Sequence, residues 1–393
     1  ILRCLVGSEM CIRDRFQIAG GWGGGTFVGS VGVTLNNLSI KNFFKKGAWR
    51  PYPMGQNQRL SISAQTNGTY YKAFAISFTD PWMGGRKPNS FTISAHYSDE
   101  NNAYYAWQKG TRYFRTAGVA AGLGKRLDWP DPYFTFYAEA SYERYMLKDW
   151  NTFVLKNGAA NLLSIRLVLG RNSVDQPIYP RRGSDFSVSV QLTPPYSLWD
   201  GKDYKSTALS EQERYNWIEF HKWMLKGQWF TPLTRNGNLV LMARAEMGYL
   251  GHYNKNKVSP FERFEVGGDG MTGYNMYGID IISMRGYDDG ALDPVGSNYS
   301  CAYNKYTMEL RYPLLLKGQT NIYVLGFLEG GNGFTSWKEF SPFKIKRSAG
   351  IGVRLFLPVV GMVGVDWGWG FDPAAGQTKR SGSHIHFTMG MQF

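Results

Sequence analysis

The chain has 393 residues, among them 47 Gly, 24 Phe, 25 Tyr and 13 Trp, a usage too rich in Gly and aromatics for a disordered chain or a coiled coil. Mean hydropathy is −0.34, and the longest nearly apolar stretch, Leu355 to Val365, falls far short of the ~20 residues that a membrane-spanning helix needs, which excludes a helical membrane bundle. The net charge of +14 comes from Lys and Arg scattered through turns and loops rather than gathered into a block, so no nucleic-acid partner is expected.

Residues 1–15, ILRCLVGSEMCIRDR, carry two of the three Cys and follow neither a strand nor a helix period. Arg3 and Glu9 break the apolar stretch and no small-residue cleavage site follows, so the segment does not read as a signal peptide. It reads as a non-native artefact joined to a truncated frame, with the genuine chain beginning near Phe16. Only Cys301 then remains, and neither an internal disulfide nor a Cys-based metal site is expected.

From Phe16 onward the dominant signal is alternation with period two, which sends successive side chains to opposite faces of a strand. Strands are predicted near 16–22, 26–35, 58–67, 70–79, 90–99, 112–126, 133–147, 160–171, 184–193, 215–230, 238–252, 304–314, 321–331, 346–357, 359–371 and 383–393. The last is the clearest: Ile385, Phe387, Met389, Met391 and Phe393 share one face, opposite His384, His386, Thr388, Gly390 and Gln392. The strand before it sets Val363, Val365, Trp367, Trp369 and Phe371 against Gly364, Asp366, Gly368 and Gly370. In the C-terminal half, short connections such as Thr231–Gly237 and Leu315–Thr320 alternate with long ones at 194–214, 253–303 and 332–345. An even number of alternating strands, with short turns on one rim and long loops on the other, is the signature of a bacterial outer-membrane barrel. One connection, 36–57, is long on the rim where short turns are expected. A soluble sandwich or propeller is disfavoured, because no second layer is available to cover the apolar faces and no repeat of 40–50 residues appears. In lipid an open edge would leave backbone groups unsatisfied, so the sheet must close. The predicted fold class is all-β, a 16-stranded antiparallel transmembrane β-barrel.

Within the longest connection lie PFERFEVGGDG (Pro260 to Gly270) and MRGY (Met284 to Tyr287). A guanidinium inside a narrow lumen needs carboxylate partners, because an unpaired buried charge is strongly destabilising. Parity supplies candidates. Tyr306, Met308, Leu310 and Tyr312 on the lipid side leave Thr307, Glu309 and Arg311 inward, and Ile322, Val324 and Leu328 leave Tyr323, Phe327 and Glu329 inward. Glu309 and Glu329 thus share the lumen face of neighbouring strands. The alternative for Glu309 is a general lumen charge paired with Arg311 or Arg354.

These motifs resemble the BamA-type outer-membrane assembly factors of the bacterial surface antigen family. In that family the sixth extracellular loop folds back into the lumen, and its Arg-Gly-aromatic tip contacts the inner wall. Arg285, Gly286 and Tyr287 match the tip, with Met284 where Val is usual, and MELRYPL and FLEGGN stand where the family places its lock-accepting carboxylates. SVDQPIYPRRGS (Ser173 to Ser184) resembles the family's turn between the eighth and ninth strands, FTDPWMGG (Phe78 to Gly85) the one after the fourth, and Phe393 the terminal insertion signal. The resemblance implies that 16–393 is the barrel of a protein whose periplasmic repeats precede it.

Other chemistry is lacking. The His384–His386 pair has no evident third metal ligand, the Gly runs at 23–25 and 267–268 do not precede helices, and Ser341 to Lys344 lacks the companions of a Ser-x-x-Lys site. No cofactor, metal or enzymatic activity is expected. The function implied by the resemblance is insertion of other β-barrel proteins into the outer membrane through a lateral seam between the first and last strands. Gly weakens strands there, and the seam residues are Phe16, Ile18, Gly20, Gly21, Gly390 and Phe393. Partners implied are unfolded outer-membrane β-barrel proteins, outer-membrane lipids and periplasmic lipoprotein subunits. The alternative is a two-partner secretion or translocation-and-assembly transporter of the same superfamily. A porin would need a constriction loop of opposed charges in place of a single Arg tip.

Overall fold

The computed structural model describes residues 15–389 apart from 24–25, 50–51, 68–69, 86–88, 103–109, 207, 271–277, 297–298, 318–319 and 358–360. Gly390 and Phe393 of the expected seam, and residues 1–14 of the expected artefact, lie outside the described residues. The strands are β1 (Arg15–Gly23), β2 (Thr26–Leu38), β3 (Gln58–Asn67), β4 (Tyr71–Asp80), β5 (Asn89–Asn101), β6 (Tyr113–Arg126), β7 (Phe134–Lys148), β8 (Gly158–Asn172), β9 (Gly183–Leu192), β10 (His221–Pro232), β11 (Val240–Gly251), β12 (Phe264–Val266), β13 (Asp280–Ile282), β14 (Ala302–Lys317), β15 (Thr320–Phe334), β16 (Lys346–Leu357), β17 (Gly361–Pro373) and β18 (Arg380–Met389). Sixteen of them form one sheet whose strand order is the chain order, while β12 and β13 pair with each other inside the long connection between β11 and β14. No helix among the described residues is long and apolar enough to cross a membrane.

Most strand bounds fall within a few residues of the period-two reading. The main correction concerns the predicted strand 215–230, which begins only at His221. Upstream, Ser210 and Glu213 form a capping box that closes the short helix α1 (Glu211–Tyr215): the Ser210 hydroxyl accepts from the Glu213 N–H, and the Glu213 carboxylate accepts from the Ser210 N–H. A local polar motif here overrides the apolar alternation around it. β12 and β13 were not anticipated, since three-residue strands give no period to read.

The chain divides into two compact units. In the first, β1 pairs with β2 from Arg15↔Thr34 to Gly23↔Thr26, and antiparallel ladders continue through β6. Its aromatic centre is Phe114, fully buried against Tyr145, Trp150 and Phe153. The long connection after β2 is folded on itself, with Ser39 N–H donating to Pro53 O at 2.9 Å and the Trp49 indole donating to Phe43 O at 3.0 Å.

In the second unit, β9–β10–β11 and β14 through β18 form continuous antiparallel ladders. The two faces of these strands differ sharply. On β14, Met308, Leu310 and Tyr312 are exposed while Thr307, Glu309 and Arg311 are buried; on β17, Val365, Trp367, Trp369 and Phe371 are exposed while Asp366 is fully buried. Apolar side chains left outward and charges turned inward invert the soluble pattern and suit a wall whose outer solvent is lipid. At one end of the inner face, Tyr179 from the turn after β8 packs on Phe230, Met242, Tyr323 and Met362, and its hydroxyl donates to Asn238 O at 2.8 Å and Arg311 O at 3.0 Å.

The belt generates a depth rule. Ile351, on the outward face in the middle of β16, pairs with Gly326 and Trp367 and is exposed. Ile351→Arg is expected to lower unfolding free energy by about 2–4 kcal/mol in bilayers. Ser63→Arg, on the face of β3 opposite Ile62, is expected to change it far less. Urea unfolding in vesicles of the two variants measures the difference, and equal losses would refute the assigned faces.

Candidate functional site

The connection 252–301 is held against the inner face of the second unit. Phe264 and Ser300 exchange backbone hydrogen bonds at 2.7 and 2.9 Å, and β12 and β13 run parallel from Phe264↔Asp280 to Val266↔Ile282. Lys222 on β10 fixes the base of the loop, its ammonium 3.0 Å from Glu262 and 2.8 Å from Asp280. Met284 N–H donates to Gly268 O at 2.9 Å and Gly268 N–H to Tyr287 O at 3.2 Å, so the Gly267–Gly268 turn clamps both ends of the Met284–Tyr287 tip.

At the tip, Arg285 Nη2 lies 2.7 Å from Glu309 Oε1 on β14 and 2.7 Å from Glu329 Oε1 on β15. The backbone N–H of Arg285 donates to Glu329 Oε2 at 2.9 Å, so one carboxylate holds both the side chain and the main chain of the same residue. A third carboxylate, Asp366 on β17, stands 3.7 Å from Nη1. The guanidinium carbon lies 3.7 Å above the centre of the Phe327 ring, which fills the space below it and adds a cation–π attraction.

These acids are shared. Glu309 also receives Arg311, through Nη2 and Nε at 2.7 and 2.8 Å, Asp366 takes both Arg354 Nη groups at 2.8 and 2.7 Å, and Thr307 donates to Glu329 at 3.1 Å. The two readings of Glu309 therefore coexist for Arg311, whereas Arg354 belongs to Asp366. Side chains of Arg285, Glu309, Glu329 and Asp366 are 8%, 6%, 2% and 0% exposed. Charges so far from water persist only where opposite charge faces them, as Asp366 faces Arg285 Nη1, which makes no hydrogen bond.

Backbone approach completes the arrangement. Gly286, with φ 85°, lies flat on β17: a Cβ there would stand 2.9 Å from Gly370 N and from the Ser348 Cβ, and a Cβ on Gly368 would stand 2.7 Å from Gly286 N. Real side chains do not occupy such space. Tyr287 is fully buried, its hydroxyl donating to Arg347 O at 2.9 Å, and Gly286 N–H donates to His386 Nε2 at 2.8 Å.

Among the expected site residues, Met284, Arg285, Gly286, Tyr287, Glu309 and Glu329 thus come together in one buried cluster. Of the seam residues, Phe16, Ile18, Gly20 and Gly21 lie on β1 in its ladder with β2. Sequence reasoning did not assign Asp366, the Gly368–Gly370 bed, Phe327 or His386 to the loop, although the strict Gly alternation opposite Trp367 and Trp369 was a visible sign that something approaches that face closely. It also missed Asp293, a buried loop carboxylate that accepts from Ser300 Oγ at 2.5 Å and Val266 N–H at 3.3 Å while its second oxygen has no partner. Among the described residues, no group of three or more His, Cys, Asp or Glu is placed to hold a metal.

An Omp85 superfamily domain matches residues 54–393. The chain belongs to the Omp85 superfamily. It is 23% identical over 329 residues to the outer membrane protein assembly factor BamA of Neisseria meningitidis serogroup B, an alignment covering 77% of this chain and 34% of that protein. The chain therefore spans about a third of the length of that curated relative. In structure it is similar to BamA from Haemophilus ducreyi lacking POTRA domains 1–3, with TM-score 0.63 and 16% identity over 95% of this chain and 69% of that one. It is also similar to CdiB from Escherichia coli, with TM-score 0.54 and 12% identity over 96% and 67% of the two chains. This Omp85 chain is accordingly an outer-membrane β-barrel protein of the BamA-like kind.

Two predictions follow from the geometry of the Omp85 loop. Arg285→Ala should weaken tip docking by about 3–5 kcal/mol, because buried Glu329 loses its close counter-charge and keeps only Lys305 at 4.0 Å. Glu329→Gln should loosen the tip more than Glu309→Gln, since Glu329 alone also holds the Arg285 main chain; hydrogen exchange of the 284–287 amides ranks the three.

Burial pushes the Asp293 carboxyl up to about 8, above the pull of its hydrogen bonds from Ser300 and Val266. A folded pKa raised above the unfolded one means stability that is full at low pH and is lost as pH rises through about 8. Loop protection should therefore fall as pH rises from about 4 to about 8 and level off above that, and Asp293→Asn should remove that slope in exchange measurements normalised to an unstructured peptide.

Proposed function

We propose that this barrel assembles and inserts other β-barrel proteins into the bacterial outer membrane. The observation that carries the reading is the buried Arg285–Glu309–Glu329 tip within a barrel whose sequence aligns with an assembly factor over 77% of its length. The lock fixes the loop inside the wall and leaves the work to the wall's own strand edges. No covalent chemistry is required: an incoming strand needs a template of unpaired N–H and C=O groups, which the edges of the first and last strands supply once their mutual pairing opens.

In this reading β1 is the weak side. Gly20, Gly21 and Gly23 interrupt it, and Gly lowers strand stability. A client lays its terminal strand along Phe16 to Trp22 and grows hairpin by hairpin into lipid. Partners are then unfolded outer-membrane proteins as clients, outer-membrane lipids, and periplasmic lipoprotein subunits of an assembly complex, with periplasmic repeats preceding the barrel. The second reading, a two-partner secretion or translocation-and-assembly transporter, is favoured by the likeness to CdiB, because one fold serves for both.

Ala19 faces Ser30 across the β1–β2 ladder. Ala19→Cys combined in turn with Cys at positions 385 to 389 should give a pair that, once oxidised, blocks insertion of an unfolded barrel client into vesicles, with recovery on reduction. Normal insertion by the fully cross-linked, repeat-containing protein would rule out the seam. Export of a large soluble polypeptide, with no client insertion, would favour the transporter.

A further inference from the structure

Wall strand β18 carries His384 and His386 on its inner face, and neither belongs to the Arg285 charge cluster as such. Both nevertheless touch the loop. His386, 5% exposed, accepts the Gly286 N–H through Nε2 at 2.8 Å. A backbone N–H can only donate, so Nε2 carries its lone pair and the ring is neutral with its proton on Nδ1. His384 Nδ1 stands 3.2 Å from Asp288 Oδ1, one residue past the tip, while its Nε2 meets Ser381 Oγ at 2.9 Å; the two imidazoles stack with centroids 6.1 Å apart. The tip is thus tied by charge to β14 and β15 and by two imidazoles to β18, the last strand in the sheet order.

We infer that His386 is a positioning residue that couples the loop tip to the last strand, and that protonating its ring uncouples them. A proton on Nε2 removes the acceptor that Gly286 N–H uses and sets two donors against each other. The groups around the ring decide where an imidazolium would turn. On β17, Asp366 is its direct cross-strand partner; Glu329 on β15 and Asp269 in the loop add negative charge, while Arg285 in the loop and His384 on its own strand oppose it. Asp269 in the loop exerts the largest pull on a charged ring and Asp366 and Glu329 on the wall the next, so an imidazolium turns its N–H groups to these carboxylates and gives up the Gly286 N–H.

The coupling makes the loop's docking sensitive to any displacement of β18, whatever its cause. Its bearing on client insertion rests on the assembly reading, whereas the coupling itself is measurable without a client.

The test is hydrogen exchange of the Gly286 amide in the whole barrel in bilayers, normalised to an unstructured peptide at pH 7 and pH 5, with Asp293→Asn in every protein compared because that carboxyl imposes its own slope across this window. In the protein unaltered at His386, protection should fall about fivefold or more on acidification, the loss expected for one hydrogen bond. His386→Gln, which keeps an acceptor but does not titrate, should show equal protection at both pH values, and His386→Phe, which keeps a ring without an acceptor, should be low at both. A pH-independent protein unaltered at His386, a His386→Gln protein that still titrates, or full protection in His386→Phe would each overturn the inference; should His386→Phe fail to fold, the His386→Gln comparison decides alone. Client insertion by the same proteins separates the two levels. Insertion that follows protection supports the coupling's role, insertion indifferent to it overturns that role, and no insertion by any of them refutes the assembly reading while leaving the His386 bridge intact.

Discussion

A guanidinium that has left water must be surrounded, and in this barrel that requirement fixes where the longest loop can lie. Arg285 reaches Glu309, Glu329 and Asp366 together at only one place, where β14, β15 and β17 present their inner faces to the same point. Bringing the tip there forces its main chain onto the wall, and this is possible because β17 offers Gly368 and Gly370 and the tip offers Gly286. Charge selects the site and missing side chains make it reachable. Arg311 and Arg354, bound to the same acids, keep three buried carboxylates from repelling one another when they are gathered around one cation.

The wall and the lock share one constraint. Side chains alternate with period two, so slipping β14 by a single residue would send Glu309 toward lipid and Met308 inward. The lipid belt therefore holds the carboxylates in place: each exposed Met308, Leu310 or Leu328 specifies its buried neighbours. The irregularity in the β14–β15 ladder lies between Pro313 and Leu315, on the turn side of the cluster, so it leaves the parity of Glu309 and Glu329 untouched. Wall register is strongly specified in the second unit because both faces are demanding, apolar outside and ionic inside.

Much of this was legible in advance. Period two located sixteen wall strands, parity put Glu309 and Glu329 on one face, and the loop motif supplied the cation between them. The start of β10 was misplaced because a capping box, which depends on Ser210 and Glu213 alone, ended the alternation locally. Asp366 and His386 were correctly turned inward by parity, yet nothing in their own strands said what they would meet there.

What the sequence by itself determined is the wall: strand number, facing and the need for an acidic partner to Arg285 all follow from local alternation and from the energetics of a buried charge. What only the tertiary structure decided is the third dimension of the lumen, namely which inward residues converge on one point. Gly286 on Gly368, Asp366 beside Arg285, and His386 under the tip join residues 80 to 100 positions apart, and such contacts depend on the path of a fifty-residue loop whose own strands are too short to show a period. Alternation states which side a residue faces; it carries no information about what arrives on that side.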